Sequence, residues 1–284
     1  MRALARAFIW RKIIRSFRGL TLTSQLNLLL SALADILASL IVKPSNPLLL
    51  LSGLYLSSEG LTVFARGGTD DLYHLLPGRE GDVDLVIRRM LRSGDVFVDV
   101  GANVGYYTLL AARKGCKVIA VEPVPQTLAV LRINLRLNRL EDLVTVVGKC
   151  AWSSRGHVKL AIPQGKFFGL ASAVLNRGKG ATLETECVDL DSVLCSYPEV
   201  RLMKIDVEGA EYEVLKGADN ALRKTDFIVV ELTRNVKNTI GLLLGKGYRI
   251  MRLGFSTYIL AFNAIKIVKK GKDASFTSVT FSSV

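Results

Sequence analysis

Three acids close three apolar runs in this chain, each where an acid could touch a ligand. Asp99 sits in "FVDVGANVGYYT" (97–108), Glu122 ends "KVIAVEP" (117–123), and Asp206 follows the apolar part of "RLMKIDVEG" (201–209). One residue after Asp99 comes Gly101, and Gly101 and Gly105 flank Ala-Asn-Val. Glycines after a strand let backbone come close to a ligand, and the next helix points unpaired N–H groups at the turn. The spacing excludes two ligand classes. A dinucleotide fingerprint needs G-x-G-x-x-G, and no third glycine is present; a Walker loop needs Gly-Lys-Ser/Thr, which is also missing. Glu122 lies 23 residues beyond Asp99. A carboxylate at the end of the second strand is where paired ribose hydroxyls are gripped. The set therefore asks for an adenosine-like ligand without a pyrophosphate. S-adenosylmethionine meets that description, with its amino-acid end at the glycine turn and Asp99, and its ribose at Glu122. Alone, Asp99 would read as a turn cap and Glu122 as a solvated strand end. Two acids at matched strand ends, beside this turn, favour the ligand.

Such residues need strands to hold them. Short Val/Ile-rich runs occur at 95–101, 117–123, 143–151, 201–209 and 226–233. They read as strands buried on both faces. Helical stretches at 107–114, 126–138, 210–216 and 236–246 separate most of them. This alternation predicts an α/β fold with a mostly parallel sheet. The third-to-fourth connection reads instead as two extra strands, "GHVKLAI" and "ATLETECVDL", around a Gly-rich loop at 165–180. "GYRIMRLG" and "STYILAFNAIKIV" have only Gly254-Phe255-Ser256 between them, which predicts a final antiparallel hairpin.

At this point the chain resembles the FkbM family of methyltransferases. "DVFVDVGANVGYYTLLA" is similar to that family's first motif, including Asn103 where general methyltransferases have a middle glycine. "VIAVEPVPQTLAVLRINLRLN" resembles the second block, and "LMKIDVEGAEYEVLKGA" (202–218) the third and most specific one. The resemblance covers roughly residues 60–250. It implies a Rossmann-like methyltransferase sheet of seven strands with the last antiparallel, S-adenosylmethionine as cofactor, and methyl transfer to an oxygen. The cofactor set it implies is Asp99, Gly101, Asn103, Gly105, Tyr106, Thr108, Glu122, Pro123, and then Ala151 and Trp152, where the chain passes near the adenine. One departure stands out. Where a His or Arg is expected after the Glu at the fifth strand's end, this chain has Glu231-Leu232-Thr233.

Methyl transfer from a sulfonium is an in-line displacement by a donor already activated. The protein must align the acceptor, exclude water and, for a hydroxyl, take its proton. Asp206 at the fourth strand's end is the expected catalytic residue. Glu208 joins it if the strand persists for two more residues. Glu208 and Glu211 also fit as first-turn acids stabilised by the helix dipole, at about 0.3–1 kcal/mol each, and for Glu211 that reading is preferred. Asp206-x-Glu208 offers a metal only two carboxylates, so a metal is neither assigned nor excluded. His74, after Tyr73, belongs to a segment that could cover the cofactor from the N-terminal side.

The chain has 284 residues, half of them hydrophobic, with a net charge of +13. Two competing functions are an RNA methyltransferase and a non-catalytic cofactor-binding or membrane-tethered protein. The charge suits the first, but no RNA-binding module and no Asn-Pro-Pro-aromatic run accompanies it. The intact glycine turn and Asp206 oppose the second. The expected partner is a small-molecule or glycan acceptor, not nucleic acid, and the expected location is cytoplasmic, with membrane contact through residues 1–56 as an option. Nothing in the sequence names the acceptor or the oligomeric state. Four cysteines without a CxxC pair read as reduced thiols.

The chain divides into an N-terminal helical extension (1–56) and a methyltransferase domain (57–284). Residues 1–20 hold six basic residues and no acid. In the next segment Asn27, Ser31, Asp35 and Ser39 form one polar stripe on a helix otherwise apolar all round, ended by "KPSNP" (43–47). The apolar run 28–42 is short for a span, with Asp35 in its middle. A span or a cleaved signal peptide would also part the domain from its cofactor. Packing on the domain is preferred to in-plane membrane attachment, because core helices are commoner.

Overall fold

The computed structural model describes residues 2–41, 46–163, 180–254, 256–263 and 266. The chain begins with α1 (Arg2–Ser16), β1 (Phe17–Gly19) and α2 (Leu22–Ile41), then the hairpin β2 (Gly53–Ser57) and β3 (Thr62–Ala65), then α3 (Asp71–His74) and α4 (Gly81–Met90). The alternating part follows as β4 (Val96–Val100), α5 (Tyr106–Arg113), β5 (Lys117–Val121), α6 (Pro125–Asn138) and β6 (Val144–Val147). An insertion holds β7 (Cys150–Ala151), β8 (Gly156–Pro163), β9 (Gly180–Val188) and α7 (Leu190–Val193). The last part is β10 (Val200–Ile205), α8 (Glu211–Lys216), α9 (Asp219–Lys224), β11 (Thr225–Glu231), α10 (Val236–Gly245), β12 (Arg249–Arg252) and β13 (Tyr258–Phe262).

Seven strands form one sheet in the order β12-β13-β11-β10-β4-β5-β6. All run the same way except β13, which is antiparallel to both its neighbours. This is the Rossmann-like methyltransferase sheet with its antiparallel C-terminal hairpin. The strands are apolar on both faces because both faces are covered. Val98, Ile119, Met203 and Ile228 enter one core, while Phe97, Val118, Leu202 and Phe227 enter the other. The chain leaves β4 toward β5 and β6, and later returns through β10 toward β11. A crevice therefore opens at the carboxyl ends of β4 and β10, where the strand order reverses.

The run 143–151 does not form one strand. It breaks at Gly148 into β6 and β7, and β7 joins β8 and β9 in a separate three-stranded sheet. A Cβ at Gly148 would lie 2.9 Å from Leu128 Cδ2 on α6, so the chain crosses close to that helix. The two extra strands are β8 and β9. The Gly-rich loop, apart from Gly180, lies outside the described residues, as do Lys43–Ser45 of the helix-breaking segment, Phe255 of the hairpin turn, and Ala264, Ile265, Ile267 and Val268 at its end. All four cysteines are free.

The N-terminal helices share a core with the sheet. Trp10, Ile13, Phe17, Leu28 and Ala32 lie in one buried cluster with Val63, Val83, Phe97 and Leu109. The 56/57 boundary falls inside β2, whose partners β1 and β3 lie on either side of it. Side chains from α6 cover the free edge of β3: Phe64 N donates to Asn134 Oδ1 (2.7 Å), and Thr62 N to Asn138 Oδ1 (3.0 Å). Capping an edge this way removes a pairing site that would invite aggregation.

The polar stripe of α2 points inward. Asn27 Nδ2 donates to Leu51 O (2.7 Å) and Tyr55 Oη (2.9 Å), and Asn27 Oδ1 accepts from Leu51 N. Ser31 Oγ accepts from Leu50 N (2.9 Å). Asp35 takes hydrogen bonds from Arg6 and Trp10.

Candidate active site

A cavity of about 300 Å³ occupies the crevice. Its first wall is the glycine turn, residues 101–107, with 121–124 from the end of β5. The turn is held in place by its own backbone. Gly101 (φ +79°), Asn103 (φ +50°) and Gly105 (φ +98°) all lie in the left-handed region, where glycine is at ease and asparagine is tolerated. Asn103 Oδ1 accepts from Val104 N (2.8 Å), which stabilises that conformation. Gly101 has a second reason to be glycine. A Cβ there would lie 1.8 Å from the Asp206 carbonyl oxygen, so the turn packs directly on the end of β10.

Glu122 joins the turn to β5. Its carboxylate accepts from Asn103 N (2.9 Å) and Val124 N (3.0 Å), one donor on each oxygen. Burial pushes its pKa up to about 7, with the two N–H donors partly offsetting. Each oxygen keeps acceptor capacity for a hydroxyl.

Asp99 lies one layer beneath the cavity, on the face of β4 that packs on α5. Its Oδ2 accepts from Thr108 Oγ1 (2.7 Å), and Lys204 Nζ lies 4.0 Å from Oδ1. Oδ1 is buried without a hydrogen-bond partner. Burial raises its pKa, with the Lys204 charge and Thr108 opposing.

The opposite wall is acidic and drawn from three strands. Asp206 Oδ2 accepts from Lys204 Nζ (3.0 Å) and from Tyr258 Oη (2.8 Å). Glu231 at the end of β11 lies against Asp206 and accepts from Thr257 Oγ1 (2.9 Å). Burial alone would raise Asp206, but the Lys204 charge and the bonds from Glu231 and Tyr258 outweigh it and hold the carboxyl well below its usual range. Glu231 is raised by burial and by the Asp206 charge, so the pair keeps one proton, on Glu231. Burial and Asp206 also push Tyr258 upward, keeping it a hydrogen-bond donor.

Of the residues expected from sequence, Gly101, Asn103, Gly105, Tyr106, Glu122, Pro123, Ala151, Asp206 and Glu208 line the cavity. Asp99, Thr108 and Trp152 lie outside the lining. Trp152 instead packs with Leu160 and Cys187, while its carbonyl abuts Gly217, where a Cβ would lie 2.1 Å away. Glu208 reaches the cavity by a different route from the one expected. The strand stops at Ile205, and Glu208 sits in a turn at φ +51°. Glu211 is fully buried and structural, accepting from Gly209 N (2.8 Å) and Thr233 Oγ1 (3.2 Å). Thr233 therefore has a partner of its own where the resemblance leads one to expect a His or Arg. Tyr73 and His74 do line the cavity.

Sequence reasoning gave Glu231 no role and passed over Lys204, Tyr258, Arg79 and Glu80, all of which also line it. Lys204 left a signal: a charge inside the otherwise apolar stretch "LMKI" (202–205). Tyr258 left none, because only the β11–β13 pairing sets it opposite Glu231. Among the described residues no group of three or more His, Cys, Asp or Glu is placed to hold a metal ion.

The cavity fits S-adenosylmethionine. Glu122 keeps acceptor sites that suit the hydroxyls of a ribose, and Ala151, Cys150 and Leu160 line the same cavity with apolar surface. Asp206, Glu208 and Glu231 line the cavity with acids, which suits a cationic ligand.

Comparison with known proteins agrees with this geometry. The family model for the methyltransferase FkbM domain matches residues 99–250, more than half of the chain. Methyltransferase sdnD of Sordaria araneosa is 34% identical over 45% of this chain and 62% of its own length. Hexuronic acid methyltransferase AglP of Haloferax volcanii is 31% identical over 55% of this chain and 64% of its own length. The 31-O-demethyl-FK506 methyltransferase FkbM of Streptomyces tacrolimicus is 29% identical over 57% and 75%. The chain thus spans less than two thirds of the length of the first two relatives.

Proposed function

The chain belongs to the FkbM family of methyltransferases, and we propose that it transfers a methyl group to a hydroxyl oxygen of a sugar or another small acceptor. The cofactor is S-adenosylmethionine, which when bound supplies an electrophilic methyl on a sulfonium. The residues of this chain do the rest. Glu122 grips the ribose, and the glycine turn from 101 to 105 sets the depth of the amino-acid end. Asp99 acts from below by fixing Thr108 and so the start of α5.

The observation that carries an oxygen acceptor is the Asp206–Glu231 pair at the cavity wall. A hydroxyl must lose its proton as the new O–CH₃ bond forms and the S–CH₃ bond breaks. Glu231 holds the pair's proton at rest and serves as the base once that proton has left, in a fraction of molecules that grows as pH rises through about 8. Asp206 stays charged, orients Glu231 and Tyr258, and favours the cationic sulfonium. Glu208, in its turn beside them, contributes further negative charge. The names of two relatives support this reading, one acting on a hexuronic acid and one at an oxygen of FK506. A cytoplasmic location follows from the need for the cofactor.

Calorimetry with S-adenosylmethionine, followed by transfer of its labelled methyl to a panel of hydroxylated acceptors that includes uronic acids, tests the reading. Binding with transfer to at least one hydroxyl is expected. Transfer to RNA bases or amines instead, or preference for NAD, overturns it.

A further inference from the structure

The helix α2 is built inside out. On a helix at a water-facing surface, apolar residues turn inward and polar ones outward. Here Asn27, Ser31 and Asp35 turn inward and are hydrogen-bonded along the length of the helix. The outward face is leucine: Leu26, Leu29, Leu30, Leu33, Leu37 and Leu40 are all exposed. No charged side chain interrupts that face, and Leu50 and Leu51 on the adjoining segment are exposed as well. An apolar surface this continuous marks a contact with something other than water.

The charges beside it say what that contact is. Arg11, Lys12, Arg15 and Arg18 are exposed on and just after α1, which packs on α2. The one acid between residues 2 and 41 is Asp35, and it is spent on Arg6 and Trp10. We infer that the leucine face of α2, with the basic face of α1, is a docking surface for an anionic phospholipid bilayer on which the protein lies in plane. Leucine side chains enter the acyl boundary while arginines and lysine meet lipid phosphates.

The helix does not span the bilayer, although its 20 residues are long and apolar enough. To cross, it would have to part from Leu50, Leu51 and Tyr55 and leave Asn27 and Ser31 unsatisfied in hydrocarbon. Nor is it a core helix, since only a third of its apolar stretch is buried. The surface also lies close in sequence to the cavity. Asn46, five residues beyond Ile41, lines the cavity wall and donates to Asp70 Oδ2 (2.8 Å).

Flotation of the full-length protein with vesicles tests this. With about 30% phosphatidylglycerol the protein floats, and the bound fraction drops several-fold on neutral phosphatidylcholine or in about 0.5 M salt. Leu30→Asp, Leu33→Asp and Leu37→Asp together leave the circular dichroism melt unchanged and lower flotation by at least about tenfold. Should that variant misfold, an environment-sensitive fluorophore on Leu33→Cys, in a Cys195→Ser background, reports a blue shift on vesicle addition. The inference fails if wild-type protein does not float, if the triple variant floats equally well, or if the fluorophore is unmoved. It also fails if the face instead holds a second copy, seen as a dimer in sedimentation that the leucine variant disperses without any flotation of the wild type.

Discussion

The two walls of the cavity are built by opposite means. The glycine-turn wall is almost continuous in sequence and is held by steric constraint: three left-handed residues, a Cβ-free contact at Gly101, and backbone N–H groups collected by Glu122. The acidic wall is assembled from Lys204 and Asp206 on and after β10, Glu231 on β11 and Tyr258 on β13, and is held by charge. A wall fixed by packing should fail all at once. A wall fixed by electrostatics should fail by degrees, and with pH.

The largest expected effect tests the first half of that contrast. Gly101→Ala adds a Cβ to a residue at φ +79°, within 1.8 Å of a backbone oxygen that cannot move without disturbing β10. It should cost more than about 3 kcal/mol and abolish folding or cofactor binding outright. The sequence alone suggests that a side chain here would block the cofactor, but the clash is with the protein itself. Thermal denaturation therefore reads the effect, before any binding assay. A melt within a few degrees of wild type would show that the turn is not sterically fixed.

Asp206→Asn comes next and probes the second wall. The fold should persist while S-adenosylmethionine binds more weakly and turnover falls about 10²-fold, because the base Glu231 loses the anion that raises its proton affinity and the sulfonium loses a facing charge. Lys204 is buried and loses its nearest anion, leaving Asp99 at 4.0 Å and the more distant Glu80 charge, so a moderately lower melting temperature should accompany the loss. Steady-state kinetics with an identified acceptor check this. Normal turnover across pH would reduce Asp206 to an anchor for Lys204.

The same contrast explains what could be read from the sequence. The glycine turn was legible because its constraints are local: glycines and an asparagine in left-handed conformations, between an apolar strand and a helix. Glu122 was legible because strand length and fold fix where the second strand ends. The acidic wall was only half legible. Asp206 follows its strand, but Lys204 meets Asp99 only through the β4–β10 register, and Tyr258 meets Asp206 across 52 residues. Asp99 and Thr108 belong to the same motif in sequence, but the pleat of β4 turns Asp99 out of the cavity lining and α5 brings Thr108 against it. For α2 the polar stripe was visible, but no period says whether a stripe faces protein or solvent. Partners on Leu50, Leu51 and Tyr55 decide that.

Glu122→Gln tests where steric and electrostatic control meet. Two N–H donors face this side chain, and a glutamine amide can accept only one of them. Cofactor affinity should fall by about 1–2 kcal/mol, or roughly five- to thirtyfold. The native pKa, near 7, lies above the usual carboxylate value. The protonated carboxyl is therefore favoured in the folded protein, and its contribution to stability is lost as pH rises from the unfolded value toward 7. Cofactor affinity moves the other way, rising across that range as Glu122 ionises to receive the ribose hydroxyls. Calorimetry between pH 6 and pH 8, bracketing the shifted value, should show that rise in wild type and a flat profile in the variant. Equal slopes in the two proteins would place the titrating group elsewhere.

The smallest expected effect is that of Tyr258→Phe. The ring is buried and its hydroxyl donates a single 2.8 Å bond to Asp206 Oδ2, so the substitution keeps the packing and removes one charge-assisted donor. Such a bond contributes about 1.5–3 kcal/mol when its acceptor is charged, and Lys204 remains on the same oxygen to absorb part of the loss. With one donor fewer, Asp206 gains proton affinity, and the proton it shares with Glu231 is held less firmly on Glu231. Turnover should fall by about three- to tenfold, with the acid limb of the kcat profile displaced and KM for S-adenosylmethionine unchanged. That graded response is what a wall held by several charges should give, since no single donor fixes it. If Tyr258→Phe instead matched the loss from Asp206→Asn, with no displacement of the pH profile, the phenol itself would be touching the acceptor. The wall would then be a binding surface for the substrate rather than an electrostatic frame behind it.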